Sequence, residues 1–217
     1  MNSARAAAVF CLGVAVALFT AATAEDDLAK PKSSAFSHRD LARDAVIVDL
    51  HSDALDRVYA FGNHPSTFAG ETLQSSLPKL RAAGVKVQFF ALWDKPGQGP
   101  EEGEIILDDF NRILERYSAD VAFAGSYADL QKNLQAGKIS AFLTIEDGSA
   151  LAGDLKRLDY FYGRGVRLIT LVWNHMNQLG DAAKDRKDPG GLTPFGRKVV
   201  QRMNELGMIV DVSGRKM

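Results

Sequence analysis

Five short apolar runs punctuate this chain, each giving way at once to polar or glycine-rich residues. They are Val46–Leu50, Val85–Leu92 (VKVQFFAL), Ile139–Ile145 (ISAFLTI), Val166–Val172 (VRLITLV) and Met208–Val212 (MIVDV). Runs of this length, rich in β-branched residues, predict strands buried on both faces. Helical spacing fills the intervals. Thr72–Ala83 stops at Gly84; Ile106, Phe110, Ile113, Leu114 and Tyr117 form one apolar stripe; Tyr127–Leu134 ends near Gly137. Leu151, Leu155, Leu158 and Phe161 follow, closed by Gly163 and Gly165. Thr193-Pro194 is an N-cap and N1 pair, opening a helix with Val199, Met203 and Leu206 on one face, stopped at Gly207. Arg39–Arg43 reads as a short helix, and Tyr59–Gly70, Pro96–Gly103 and Lys184–Gly191 as loops.

Strand and helix therefore alternate, with no hairpin signal. Such alternation predicts an α/β fold of parallel strands with crossover helices. Both a (β/α)8 barrel and an open doubly wound sheet fit it. The lack of a glycine-rich phosphate loop after the first strand weakens the nucleotide-binding version. Five strands are too few to close an eight-stranded barrel, whose usual length is about 250 residues. Uncovered edges of apolar strands invite association, so a marginal fold and a homo-oligomer are expected.

Composition narrows the partners. The chain has 217 residues, 46% hydrophobic and 24% charged, as globular proteins do, and a net charge of −1. It shows no basic block, so nucleic acid and anionic membrane are not expected partners. Residues 1–24 read as a secretory signal peptide: Arg5, an apolar segment Ala6–Thr20, and Ala22-Thr23-Ala24 before Glu25. A transmembrane anchor is the alternative, but the segment is short of the ~20 apolar residues a span needs. The expectation is export to the periplasm or beyond, with no stable membrane span after cleavage. Residues 25–44 are then a tail and lead-in, and 45–217 the folded domain. Cys11, the only cysteine, falls within the signal segment. Any metal in the mature chain must be held by histidine and carboxylate.

Those residue types gather where strands end. His51 and Asp53 follow the first strand as His-x-Asp, and alternation turns both side chains the same way. Imidazole nitrogen and carboxylate oxygen together suit zinc. Glu146 follows the third strand directly. A carboxylate there sits in low dielectric and needs a positive partner, either a metal shared with His51 and Asp53 or an arginine such as Arg167. Asp147 is expected to face away. His175 and Asn177, after the fourth strand, suit a substrate carbonyl or an ion, and Trp173 suits packing. His38 and His64 fall in polar loops. No nucleophile elbow and no His-Glu-x-x-His occurs.

From about Val46 to Ser213 the chain resembles the membrane (renal) dipeptidase family of zinc peptidases. VDLHSD is similar to a first-strand D-x-H-x-D motif, VQFFALW to the second strand, and TIEDGSAL to a V-E-G-G segment. VRLITLVWNHMNQLGD resembles a segment with a substrate-binding loop, and GLTPFGRKVVQRMNELGMIVDVS carries G-L-T-x-F-G, a helix and a strand ending D-x-S. The resemblance implies a TIM-like barrel, here an incomplete (β/α)8 barrel of about five βα units. It implies two zinc ions in the complete site, with His51 and Asp53 on one and Glu146 bridging both as the catalytic carboxylate. The substrate is then a dipeptide or similar small amide. The family's substrate-contacting histidine falls at Trp173, with His175 two residues on. Where the family has a histidine for the second zinc, this chain has Gly214. The expectation is one zinc or none, and the alternative function is an inactive truncated fragment or small-ligand-binding remnant. A different metal-dependent amide hydrolase ranks lower, because the common pattern there is His-x-His.

Overall fold

A computed structural model describes residues 44–60, 62, 64–93, 100–184 and 190–214. Its sheet has six strands: β1 Ile47–Asp49, β2 Val85–Trp93, β3 Val121–Phe123, β4 Ile139–Glu146, β5 Val166–Thr170 and β6 Ile209–Asp211. The helices are α1 Ala54–Ala60, α2 Leu77–Ala82, α3 Pro100–Arg116, α4 Tyr127–Gln135, α5 Leu155–Gly163 and α6 Pro194–Leu206. The strand order is β1-β2-β4-β5-β6, with β3 beside the first half of β4. Every pairing between these strands is parallel. A doubly wound sheet reverses its order at a switch point. This order has no reversal, so the fold is an arc of a (β/α) barrel.

Alternation along β4 sets the two faces of the arc. Ile139, Ala141, Leu143 and Ile145 join the core beneath the helices, with Phe90, Leu92, Leu158 and Val199. The opposite face carries Val87, Phe89 and Leu168, packed with Leu130 and Phe142. Phe89 and Phe142 stack there at 4.7 Å between ring centres. Glu146 shares the alternation of Phe142 and Thr144, so its side chain leaves β4 on the face away from the main helical core.

The elements follow local chemistry. Thr193 Oγ1 accepts from Gly196 N at 2.9 Å, Pro194 opens α6, and Gly207 closes it with φ +68°. Val199 and Met203 are fully buried. Three expectations need correction. The loop expected over Tyr59–Gly70 is in part helical: Tyr59 and Ala60 end α1, which buries Ala54, Leu55 and Val58, and Pro65–Ala69 forms a 3-10 turn. The helix expected from Thr72 starts only at Leu77, where Ser76 is extended and Pro78 takes the first turn. β3 was not expected at all. It is three residues long, and pairing with β4 rather than its own pattern holds it extended. The strands expected at five places are present there, with ends shifted by one or two residues. The signal segment, Arg39–Arg43, His38 and parts of two loops lie outside the described residues.

Two features of this fold are testable. Val46, Val48 and Leu50 along β1, and Ile209 and Val212 along β6, are each about half exposed, at 47 to 59%. Sedimentation should show association rising with protein concentration, and Val48→Lys with Ile209→Lys should reduce it. A strictly monomeric unaltered chain would contradict this. Asp109, within α3, is fully buried beside Arg112 Nη1 at 3.3 Å. Burial raises its carboxyl above the ordinary 3.8, against the pull of Arg112. The folded state thus holds this proton more tightly than the unfolded chain, and ionisation works against folding. Its contribution should fall as pH rises from about 3.8 through the raised value. Denaturant melts of Asp109→Asn at acidic and neutral pH should lack that slope.

Candidate metal centre

The site begins with how β1 ends. Ser52 is buried, and its carbonyl accepts from Ala91 N of β2 at 2.9 Å. Its hydroxyl accepts from Ala54 N at 3.3 Å. With Ser52 anchored inward, His51 and Asp53 on either side are both turned out toward the rim. Asp53 also starts α1, where its carbonyl accepts from Arg57 N at 3.1 Å. Asp49 Oδ1 accepts from His51 N at 3.2 Å. Glu146 is the last residue of β4, flanked in register by Trp93 of β2 and Thr170 of β5.

These elements bring three side chains together. His51 Nε2 lies 3.1 Å from Asp53 Oδ1 and 3.5 Å from Glu146 Oε2. One donor atom from each of the three lies within 4.8 Å of the others. The electrostatics follow. The hydrogen bond to Asp53 raises the His51 pKa above 6.5; burial opposes it, and Glu146 and Asp49 add to it. The same bond lowers Asp53. Burial raises Glu146 above its ordinary 4.5, with His51 opposing and Asp53, Asp147 and Asp211 adding to the rise. Acidic groups outnumber the single imidazole. One nitrogen and two carboxylates are donors that zinc accepts, so the set fits a divalent cation.

Two cavities meet at His51. One, of about 420 Å³, is lined by His51, Glu146, Thr170, Trp173, Asn174 and Asp211 among others. The other, of about 400 Å³, lies on the α1 side, with Asp53, Arg57, Thr72 and Gln74. Trp173 stands in the wall of the first, edge-on to Trp93 at 5.4 Å. His175 is exposed on the same loop and is not among the residues lining that cavity.

Asn177, expected at the substrate, is instead tied into the scaffold. Its Nδ2 donates to Asp147 Oδ1 at 2.6 Å and to Leu171 O at 2.8 Å, and its Oδ1 accepts from Leu179 N at 2.7 Å. Asp147 faces away from the three donors, as expected. Arg167 is not the partner of Glu146: it donates to Gly125 O, Tyr162 O and Val166 O and lies over the Tyr162 ring. His64 is exposed and bonded to Ser66.

Asp211 and Thr170 were missed. Thr170 Oγ1 donates to Asp211 Oδ2 at 2.6 Å, and Ser213 donates to the same carboxylate through N and Oγ. Their signal was present: each ends a strand on the same rim. The loop from Leu171 is pinned from below by α6. A β-carbon at Gly196 would overlap the Leu179 carbonyl oxygen. At Gly214, a β-carbon would overlap the Val172 carbonyl oxygen.

Residues 36–215 match the family model described as membrane dipeptidase, peptidase family M19. The dipeptidase aclJ of Aspergillus oryzae is 30% identical over 153 residues, covering 64% of this chain and 36% of that protein. Two solved structures share the fold. The metallopeptidase from Rhodobacter sphaeroides, liganded with a phosphinate mimic of the dipeptide L-Ala-D-Ala, superposes with TM-score 0.68 at 19% identity, over 79% of this chain and 59% of that one. The probable dipeptidase PvdM from Pseudomonas aeruginosa gives 0.67 at 22%, over 82% and 49%. The chain thus spans about a third of the curated relative and half or slightly more of the solved structures.

The packing under the rim predicts one sharp sensitivity. Gly196→Ala should lower folding stability by about 2–3 kcal/mol, because backbone must move to admit the methyl group. A denaturant midpoint unchanged from the unaltered chain would contradict that.

Proposed function

The chain belongs to the membrane dipeptidase family, peptidase family M19, and from that premise we propose that it carries the metal-binding rim of a zinc-dependent dipeptidase. His51, Asp53 and Glu146 hold a zinc ion in this reading. The observation that supports it best is the convergence of their donor atoms, from the ends of two different strands, within 4.8 Å. A bound zinc ion supplies Lewis acidity, polarising a peptide carbonyl and making water acidic enough to attack near neutral pH. The chain's own part is to position and to move protons. In this reading Glu146 also accepts a proton from the attacking water at its carboxylate and passes it to the leaving amine. Trp173, Asn174 and Thr170 wall the cavity of about 420 Å³, a size suited to a dipeptide. The Rhodobacter sphaeroides relative, with its dipeptide mimic, supports the same substrate class. Residues 1–24 support export. Among the described residues no helix is long and apolar enough to cross a membrane.

The residues fit one ion better than two. A histidine at position 214 would collide with the Val172 carbonyl, and among the described residues one group of three metal-capable side chains occurs. This favours a second reading, a ligand-binding remnant that holds zinc without turnover.

Zinc stoichiometry and amino-acid release from dipeptides decide between them. The expected binding is one zinc per chain, lost in His51→Ala. Release that zinc restores after chelation, and that Glu146→Gln abolishes, supports the hydrolase. Zinc binding without release supports the remnant. A chain that binds no zinc overturns both.

A further inference from the structure

Directly after Glu146 the backbone takes a conformation that L-residues avoid. Asp147 has φ +76° and ψ 108°, is buried, and is one of two non-glycine residues with positive φ among those described. A β-carbon in that region is strained, and such a residue persists only where its surroundings over-determine it. The surroundings here are specific. Asp147 Oδ1 accepts from Ser149 N at 2.9 Å and from Asn177 Nδ2 at 2.6 Å. Asn177 in turn holds Leu171 O and Leu179 N. Two more bonds close the same seam: Gly148 N to Leu171 O at 3.3 Å, and Gln178 Nε2 to Ser149 O at 3.1 Å. Gly148 has no room for a side chain, because a β-carbon there would lie 2.5 Å from a Leu179 methyl group and 2.9 Å from the Leu171 carbonyl oxygen.

One end of this seam is the turn that aims Glu146. The other is the loop whose Trp173 and Asn174 form the cavity wall. A glycine at 147, as in the V-E-G-G pattern, would take this backbone without strain. It would offer the loop no side-chain acceptor.

We propose that Asp147 and Asn177 are a pair of positioning residues, a latch that fixes the turn after Glu146 and the 171–180 loop as one unit. Neither belongs to the group of three donors or lines the cavity of about 420 Å³; both act through Glu146 and the loop. The role of the latch in metal binding rests on the hydrolase reading; its role in loop order does not.

The test compares Asp147→Gly, Asn177→Ala, the double variant and Asp147→Asn in the full chain. Asp147→Asn keeps an oxygen acceptor at Oδ1 and suits positive φ. Hydrogen exchange of the 171–180 amides, Leu179 above all, reports the loop. Cobalt(II) titration, read by affinity and visible spectrum, reports the donors. Asp147→Gly and Asn177→Ala should each speed exchange of the Leu179 amide. Each should also weaken cobalt binding, on the order of 10-fold, as loss of a supporting hydrogen bond does. The double variant should be no worse than either single, and Asp147→Asn should match the unaltered chain in both readouts. Thermal melts separate a local effect from general unfolding: a variant with loosened loop and unchanged melt supports the latch. Unaltered Leu179 exchange in Asp147→Gly overturns it, as do additive effects in the double variant. If the unaltered chain binds no cobalt, both metal-binding readings fail, and the exchange data alone decide the latch.

Discussion

A carboxylate at the mouth of a largely buried strand sets the terms for this structure. Glu146 follows seven residues of β4 that are almost all buried, and removing such a charge from water is costly without a positive partner. His51 is the partner within reach, at 3.5 Å, and it arrives from β1 because β2 stands between β1 and β4 in the sheet. The parallel order puts every strand's carboxyl end on one rim. Without that order, neither Asp53 nor Asp211 would share the neighbourhood.

The loop after β5 is packed into the rim along with the strands. It is held on three sides: by α6 through the Gly196–Leu179 contact, by the turn at Asp147, and by Trp93 against Trp173. Small residues let backbone segments approach where a methyl group would block them. The rim is therefore built from close backbone packing below and charged side chains above. This division explains why Asn177, polar and close to the cavity in sequence, faces inward.

The parallel fold and the three donors were legible because each rests on a local rule. Buried strands announce themselves as apolar runs, and residues at their ends share a rim. What was not legible depended on distant contacts. β3 has no pattern of its own and is extended because β4 pairs with it. The residues Ala54, Leu55 and Val58 show helical spacing over too short a span to stand out from a polar stretch. Asn177 looked like a substrate contact, since nothing local shows that Asp147 would turn back to meet it. Asp211 is a single acid inside an apolar strand, and its role appears only when Thr170 lies beside it.

The uninterrupted strand order carries a consequence for how the chain assembles. Apart from the insertion of β3, each strand adds next to the one made just before it. Each neighbour still arrives across a crossover, as Ile47 meets Val85 and Val87 meets Ser140, so the pairing is non-local and slow to form. A growing chain can add one strand and its helix at a time to an edge already formed, so synthesis and folding proceed in the same direction.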